Sequence, residues 1–205
     1  MRLPAALLFL VIAVTAISGI APYDRLTWWL EVFPTLAVIP LLVATRRRFP
    51  LTPLLYLLIA IHATILAAGG HWTYARVPLG YWMEEAFGFA RNHYDRLGHF
   101  AQGFVPAIAT REVLLRRTPL ARGGWLFFLV FSVCLAISAC YEFVEWWSAL
   151  VAGGAATAFL GTQGDVWDTQ WDMFCAAVGA VVAQFALARL HDRQLARLEC
   201  SPAGV

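Results

Sequence analysis

The chain has 205 residues, of which 60% are apolar and only 28 (15 basic, 13 acidic) carry a formal charge, for a net charge of +2. A water-soluble domain has about a quarter of its residues charged, so this composition excludes an ordinary soluble domain and a disordered chain. The small net charge leaves no basic footprint for nucleic acid. An integral membrane protein remains.

Leu3 to Ala21 follows Met1-Arg2 and is longer than the apolar core of a cleaved leader, so it reads as a retained span. Cleavage near Ala21 is the alternative. Five more apolar segments follow, at about 28–45, 51–69, 97–115, 125–150 and 172–190. In lipid each must satisfy its own backbone hydrogen bonds, so each is expected to be a helix. The expected fold is an all-α, polytopic transmembrane bundle of about six spans in a single domain, 1–195. A short cytoplasmic tail, 196–205, completes it.

Arginine placement orients the bundle. With the N-terminus inside, eleven arginines lie on the cytoplasmic side and four outside (Arg25, Arg76, Arg91, Arg96). The excess places both termini in the cytoplasm. Eight of the nine tryptophans then fall near the outer boundary, with Trp125 at the inner one. The longest non-spanning segment, 71–96, contains Tyr81, Trp82, Glu84, Glu85, Phe87 and Phe89. An amphipathic helix in the interface is expected there; a plain ordered loop is the alternative.

Ionisable groups within or beside spans are costly and suggest a site. Here they gather near the outer leaflet. Asp95 and His99, four residues apart, share a helical face, and Gln102 extends that stripe, as does Arg91 if the helix starts early. Glu142 and Glu145 are spaced by three; Asp165, Asp168 and Asp172 by three and four. Five like charges in one low-dielectric place must be protonated or neutralised by a cation. The expected metal ligands are Glu142, Glu145, Asp168, Asp172 and His99. Magnesium, manganese, zinc or iron suits such a set, and no other cofactor is implied.

The expected catalytic groups are His99, for proton transfer, with Asp95 and Asp168. Arg91, Arg96, Gln102, Trp167 and Trp171 are the expected substrate contacts, the arginines for an anionic headgroup or phosphate. Purely structural pairing is the competing reading. On it, Asp165 caps the last helix, Asp95 pairs with His99 or Arg96, and Glu142 or Glu145 meets an outer arginine. His62 reads as a hydrogen-bonded interhelical histidine, His93 as a reserve ligand and His191 as solvated. Cys134, Cys140 and Cys175 read as small core hydrophobes, with no thiolate zinc pattern. Gly153-Gly154 reads as span-end punctuation, and Gly161-Thr162-Gln163-Gly164 as a turn delivering Asp165.

Five strings together resemble a known family: Thr45-Arg46-Arg47-Arg48-Phe49; Gly69-Gly70-His71-Trp72-Thr73-Tyr74-Ala75; Arg91 to Phe100; Tyr141-Glu142-Phe143-Val144-Glu145-Trp146-Trp147; and Gly161 to Met173. They are similar to the YjdF family of bacterial inner-membrane proteins, a domain of unknown function. The resemblance implies a multi-pass fold and an inner-membrane address, and no particular activity. A weaker similarity is to the VanZ-like family, named for a glycopeptide-resistance accessory protein. Asp95-Arg96-Leu97-Gly98-His99-Phe100 matches its opening motif, Glu142 or Glu145 its mid-chain Glu, and Asp165 or Asp168 its later Asp. Asp172 stands where that family has Asn.

Three functions compete. The first is a cation-assisted enzyme acting on a lipid or envelope substrate at the outer leaflet. The second is a non-catalytic binding or accessory protein for a lipid, drug or cation. A transporter is third, since the inner halves of the spans read as nearly free of ionisable groups. Paired histidine boxes, a Pro-Ser-Gly-His string and an H-E-x-x-H motif are all absent from the sequence. Membrane lipids are the implied partners, with no nucleic acid, and the sequence specifies no protein partner.

Overall fold

The computed structural model describes residues 2–153 and 157–199. Gly154, Cys200 and most of the expected tail lie outside the described residues. The described chain is helical: α1 (Arg2–Ser18), α2 (Arg25–Thr45), α3 (Pro53–Trp72), α4 (Pro78–Phe87), α5 (Tyr94–Arg117), α6 (Gly124–Ala152), α7 (Thr157–Leu160) and α8 (Asp168–Glu199), with a 3-10 turn at Tyr74–Arg76. Every expected span coincides with a helix. Four of them, α2, α3, α6 and α8, are long and apolar enough to cross a membrane. α1 has only 17 residues. α5 carries Asp95, Arg96, Arg111, Glu112, Arg116 and Arg117.

Local chemistry starts the helices. Asp24 Oδ1 accepts the Thr27 amide at 2.7 Å and caps α2. Thr52 caps α3, with Pro53 in the first turn, where its missing N–H is harmless. The surface of the bundle is apolar: Phe9 and Phe185 are each 76% exposed and Val151 89%. In water such a shell would aggregate; in lipid it is solvated.

α5 and α8 form the central pair. They run parallel, since Arg91, just before α5, meets Asp168 at the start of α8, while Arg111 meets Asp192 near its end. Small residues let the two backbones approach. A Cβ on Gly103 would collide with the Ala176 backbone, and one on Gly179 with the backbone of Phe100 and Phe104. Ala176, Ala180 and Ala183 on the same α8 stripe are fully buried. Close approach through small residues is how membrane helices gain packing without a hydrophobic drive between them.

α3 and α6 flank this pair, and α1 and α2 lean on α3. α2 and α6 are therefore splayed. The groove between them is lined by Leu26, Leu30, Val144, Trp147, Ser148 and Val151. One end of the bundle, the basic end, carries Arg46, Arg47, Arg48, Arg116, Arg117 and Arg122. The other, the acidic end, carries Asp24, Asp95, Asp165 and Asp168.

Several expectations need correction. The helix α8 continues nine residues beyond the apolar segment 172–190, and Leu195, buried one turn after His191, extends its packed face. His191 is not solvated but fully buried. Nor are the basic-end halves of the helices free of ionisable groups, since Arg111, Glu112 and His191 are all buried there. Arg111 donates to His191 Nδ1 at 2.9 Å, so Nδ1 accepts and Nε2–H donates to Glu112 Oε2 at 3.0 Å. Glu112 also receives the Thr52 hydroxyl at 2.7 Å and Arg116 at 2.8 Å. This cluster is fully satisfied, as a structural network should be. Of the cysteines, Cys134 is buried as expected, but Cys140 is exposed on the apolar flank of α6.

Candidate cation site at the acidic end

The loop before α5 and the loop before α8 are locked together. Asn92 donates its amide to Gln163 Oε1 at 3.3 Å, and Gln163 Nε2 returns a bond to the Asn92 carbonyl at 2.8 Å. The Gly161–Gly164 turn needs positive φ at Gly161, Gln163 and Gly164, which explains its two glycines. Asn92 also holds the Val77 carbonyl at 3.0 Å, tying in α4, which is a helix as expected and leaves Tyr81, Trp82 and Phe87 exposed.

Arg91 lies in this loop, not on the α5 stripe, because the helix begins only at Tyr94. Its guanidinium donates to Asp168 Oδ1 at 2.5 Å and to the Thr162 carbonyl at 2.6 Å. Arg96 pairs with Asp165 at 2.7 Å and stacks over Trp171. Both arginines expected to meet an anionic substrate are thus engaged by carboxylates of the chain itself. Asp165 does not cap α8, which starts three residues later; it accepts the Trp167 amide at 2.9 Å instead. That bond, followed by the charges of Arg91 and Arg96, holds its carboxyl below the usual aspartate range. Trp167 and Trp171 are largely exposed beside it.

Beneath these loops the expected site residues converge from three helices. α5 supplies Asp95 and His99, α6 supplies Glu142 and Glu145, and α8 supplies Asp172. Ligand-capable atoms of Asp95, His99 and Asp172 all lie within 4.8 Å of one another, as do those of His99, Glu142 and Glu145. Asp168 stands outside both groupings, taken by Arg91. Gln102 presents Oε1 to His99 Nδ1 at 3.0 Å. Nδ1 therefore carries the ring proton, and the lone pair of Nε2 faces Asp95 Oδ1 across 3.6 Å. That gap is too long for a hydrogen bond. Glu142 Oε1 lies 3.9 Å from Nδ1.

Two oxygens in this cluster are orphaned. Glu142 Oε1 and Asp172 Oδ1 are buried without a hydrogen-bond partner, on side chains that are 7% and 2% exposed. A buried anionic oxygen left unpaired costs several kcal/mol. His93 sits apart, its ring edge-on to Phe89. Burial and then Arg96 and Arg91 push its pKa down. His62 on α3 has a buried, unpartnered Nε2, contrary to the expected interhelical hydrogen bond.

One functional candidate escaped the sequence reading. Glu31 on α2 is 3% exposed, and the Tyr141 hydroxyl donates to it at 3.3 Å. The Tyr141 ring lies edge-on to His99, 6.4 Å between centroids. Glu31 thus extends the acidic cluster to a fourth helix. The available signal was depth: it follows Arg25 by six residues, about 9 Å along a helix, which matches the level of the other carboxylates.

Residues 3–193 match the family described as "Predicted membrane protein (DUF2238)". The chain belongs to this family. It is also 56% identical over 180 residues to the inner membrane protein YjdF of Escherichia coli (strain K12), covering 88% of this chain and 86% of that protein. No solved structure matches. The chain is a multi-pass protein of the bacterial inner membrane, as the YjdF resemblance implied. The VanZ-like similarity has no counterpart in these matches.

Proposed function

We propose that six helices (α1, α2, α3, α5, α6, α8) span the inner membrane with both termini cytoplasmic. The acidic end then opens at the outer leaflet, and its carboxylate–histidine cluster binds divalent cation to act on a lipid or envelope substrate. One observation carries the reading: Glu142 Oε1 and Asp172 Oδ1 are buried and unpaired, on side chains that each have a ligand-capable atom within 4.8 Å of a His99 ring nitrogen. Asp95, Glu142, Glu145 and Asp172 have no arginine among the ion pairs of the described residues. A divalent cation supplies the missing charge and satisfies the orphaned oxygens.

A bound cation polarises a phosphoryl or carbonyl oxygen, or activates water. His99 is placed to hold or move a proton at Nδ1, where Gln102 orients the ring, while Asp95 faces its opposite edge. Asp168, once grouped with the ligands, instead anchors Arg91. A lipid substrate is supported by the apolar groove between α2 and α6. On α6 the groove face, Val144 and Ser148, continues one turn inward to Tyr141. An acyl chain entering sideways would bring its polar end toward Tyr141 and His99. Trp167 and Trp171 stand at headgroup depth.

The test is a lipid comparison. Extracts of cells lacking the gene are compared with cells restored by the wild type, His99→Ala or Asp172→Asn. A lipid species that changes on deletion, returns with the wild type and fails to return with either well-expressed variant is the expected result. Unchanged lipids sink the enzyme and leave a non-catalytic cation- or lipid-binding accessory protein.

A further inference from the structure

We infer that the acidic-end cluster holds two cations of unequal affinity, one on each side of the His99 ring. This rests on the reading above that the cluster binds cation at all. The two ligand groupings share only His99. In the first, Asp172 is grouped with Asp95, which stands 3.6 Å from His99 Nε2. In the second, Glu145 is grouped with Glu142, which stands 3.9 Å from Nδ1 on the other edge. Each has its own orphaned, buried oxygen: Asp172 Oδ1 in the first and Glu142 Oε1 in the second. One ion on one side leaves the other orphan unsatisfied.

Charge balance points the same way. Each grouping carries two carboxylates, which one divalent ion neutralises. A single ion for all four leaves two carboxylates that must either take up protons or stay buried as uncompensated charges. Ligands at about 2.1 Å on a tetrahedral ion stand about 3.4 Å apart, so groupings that already lie within 4.8 Å close onto an ion by drawing inward.

The affinities differ because of Gln102. By accepting the Nδ1 proton at 3.0 Å it fixes the ring and leaves Nε2 free as a ligand, the usual arrangement around a metal-bound histidine. The Asp95–His99–Asp172 position therefore has a nitrogen and two carboxylates ready, while the Glu142–Glu145 position has two carboxylates and must compete with a protonated Nδ1. The first is the tight site and the second the weak one.

Metal-stripped protein in detergent is titrated with Mn2+, and free ion is counted by its paramagnetic resonance signal. Wild type is expected to bind two equivalents, the first at least ~10-fold tighter. Asp172→Asn is expected to retain only the weak equivalent. Glu142→Gln and Glu145→Gln each retain only the tight one, shifted less than ~3-fold. All four proteins must elute as one species with unchanged helical circular dichroism. A single wild-type equivalent abolished by either kind of variant overturns the two-cation inference but keeps the cation site. No binding by folded wild type overturns the cation site itself. Two equivalents that vanish together in any one variant overturn the independence of the positions.

Discussion

Arg91 and Asp168 meet at 2.5 Å, with side chains only 13% and 7% exposed, joining the loop before α5 to the first turn of α8. The arginine is a strut and not a free anion receptor. Removing one partner of a buried pair leaves the other charge uncompensated, which costs on the order of 3–5 kcal/mol. Arg91→Ala is therefore expected to lower the melting temperature in detergent by roughly 2–4 °C for each kcal/mol lost. The double variant Arg91→Met/Asp168→Leu is expected to recover part of that loss. Equal melting of Arg91→Ala and wild type would contradict the strut.

Asp165 makes the same junction pH-sensitive. Its folded carboxyl is held below the usual range, first by the Trp167 amide and then by Arg91 and Arg96. A lowered folded pKa gives stabilisation that is complete above the unfolded value of about 3.9 and is lost as pH falls below that value through the lower folded one. Trp167 and Trp171 adjoin this loop, so tryptophan emission is expected to change only below about pH 4. Asp165→Asn is expected to flatten that transition. A transition identical in the variant would assign it elsewhere.

Gly179 lies against the Phe100 and Phe104 backbone at the α5–α8 crossing. A leucine there must force the central helices apart, an overpacking change that costs about 1–3 kcal/mol or more. Because Asp172 rides on α8 and His99 on α5, the same substitution separates the two sides of the cluster. Gly179→Leu is expected to melt lower and bind less Mn2+, whereas Gly124→Leu, whose Cβ would meet nothing within 4 Å, is expected to match wild type. Equal behaviour of the two variants would refute tight packing at this crossing.

At the basic end, Glu112 receives bonds from Thr52, His191 and Arg116 while wholly buried. Glu112→Leu removes the acceptor of four donors on these three residues, and a buried donor left unpaired costs about 1–3 kcal/mol. It is expected to reduce folded yield sharply, while Glu112→Gln, which keeps an acceptor, is expected to lose less. Thermal melting of both variants checks the order.

Much of this was readable from spacing. Asp95 with His99, Glu142 with Glu145, and Asp168 with Asp172 announce themselves because three- and four-residue intervals place side chains on one helical face. What spacing cannot show is which carboxylate meets which cation. Arg91 and Asp168 are 77 residues apart, and their contact depends on the Asn92–Gln163 lock between two loops. His191 looked solvated because it follows the last apolar run; only the parallel pairing of α5 with α8 brings it to Arg111 and Glu112. The aligned small residues Ala176, Gly179, Ala180 and Ala183 were the available hint of that pairing.

Glu31 stayed hidden for a different reason: it is a lone carboxylate on α2, with no periodic companion. It takes a bond from Tyr141, whose ring lies edge-on to His99, and its neighbour Leu30 lines the α2–α6 groove. Glu31→Gln keeps an acceptor for the Tyr141 hydroxyl but removes a charge and a site for a proton. If Glu31 serves the chemistry, Glu31→Gln abolishes rescue of a gene deletion while expression, melting temperature and Mn2+ binding stay near wild type. If Glu31 only braces α2 against Tyr141, the Gln variant rescues fully and only Glu31→Leu fails, with a lower melting temperature. The two outcomes separate on one comparison, Gln against Leu, because both remove the charge and only Leu removes the hydrogen-bond acceptor.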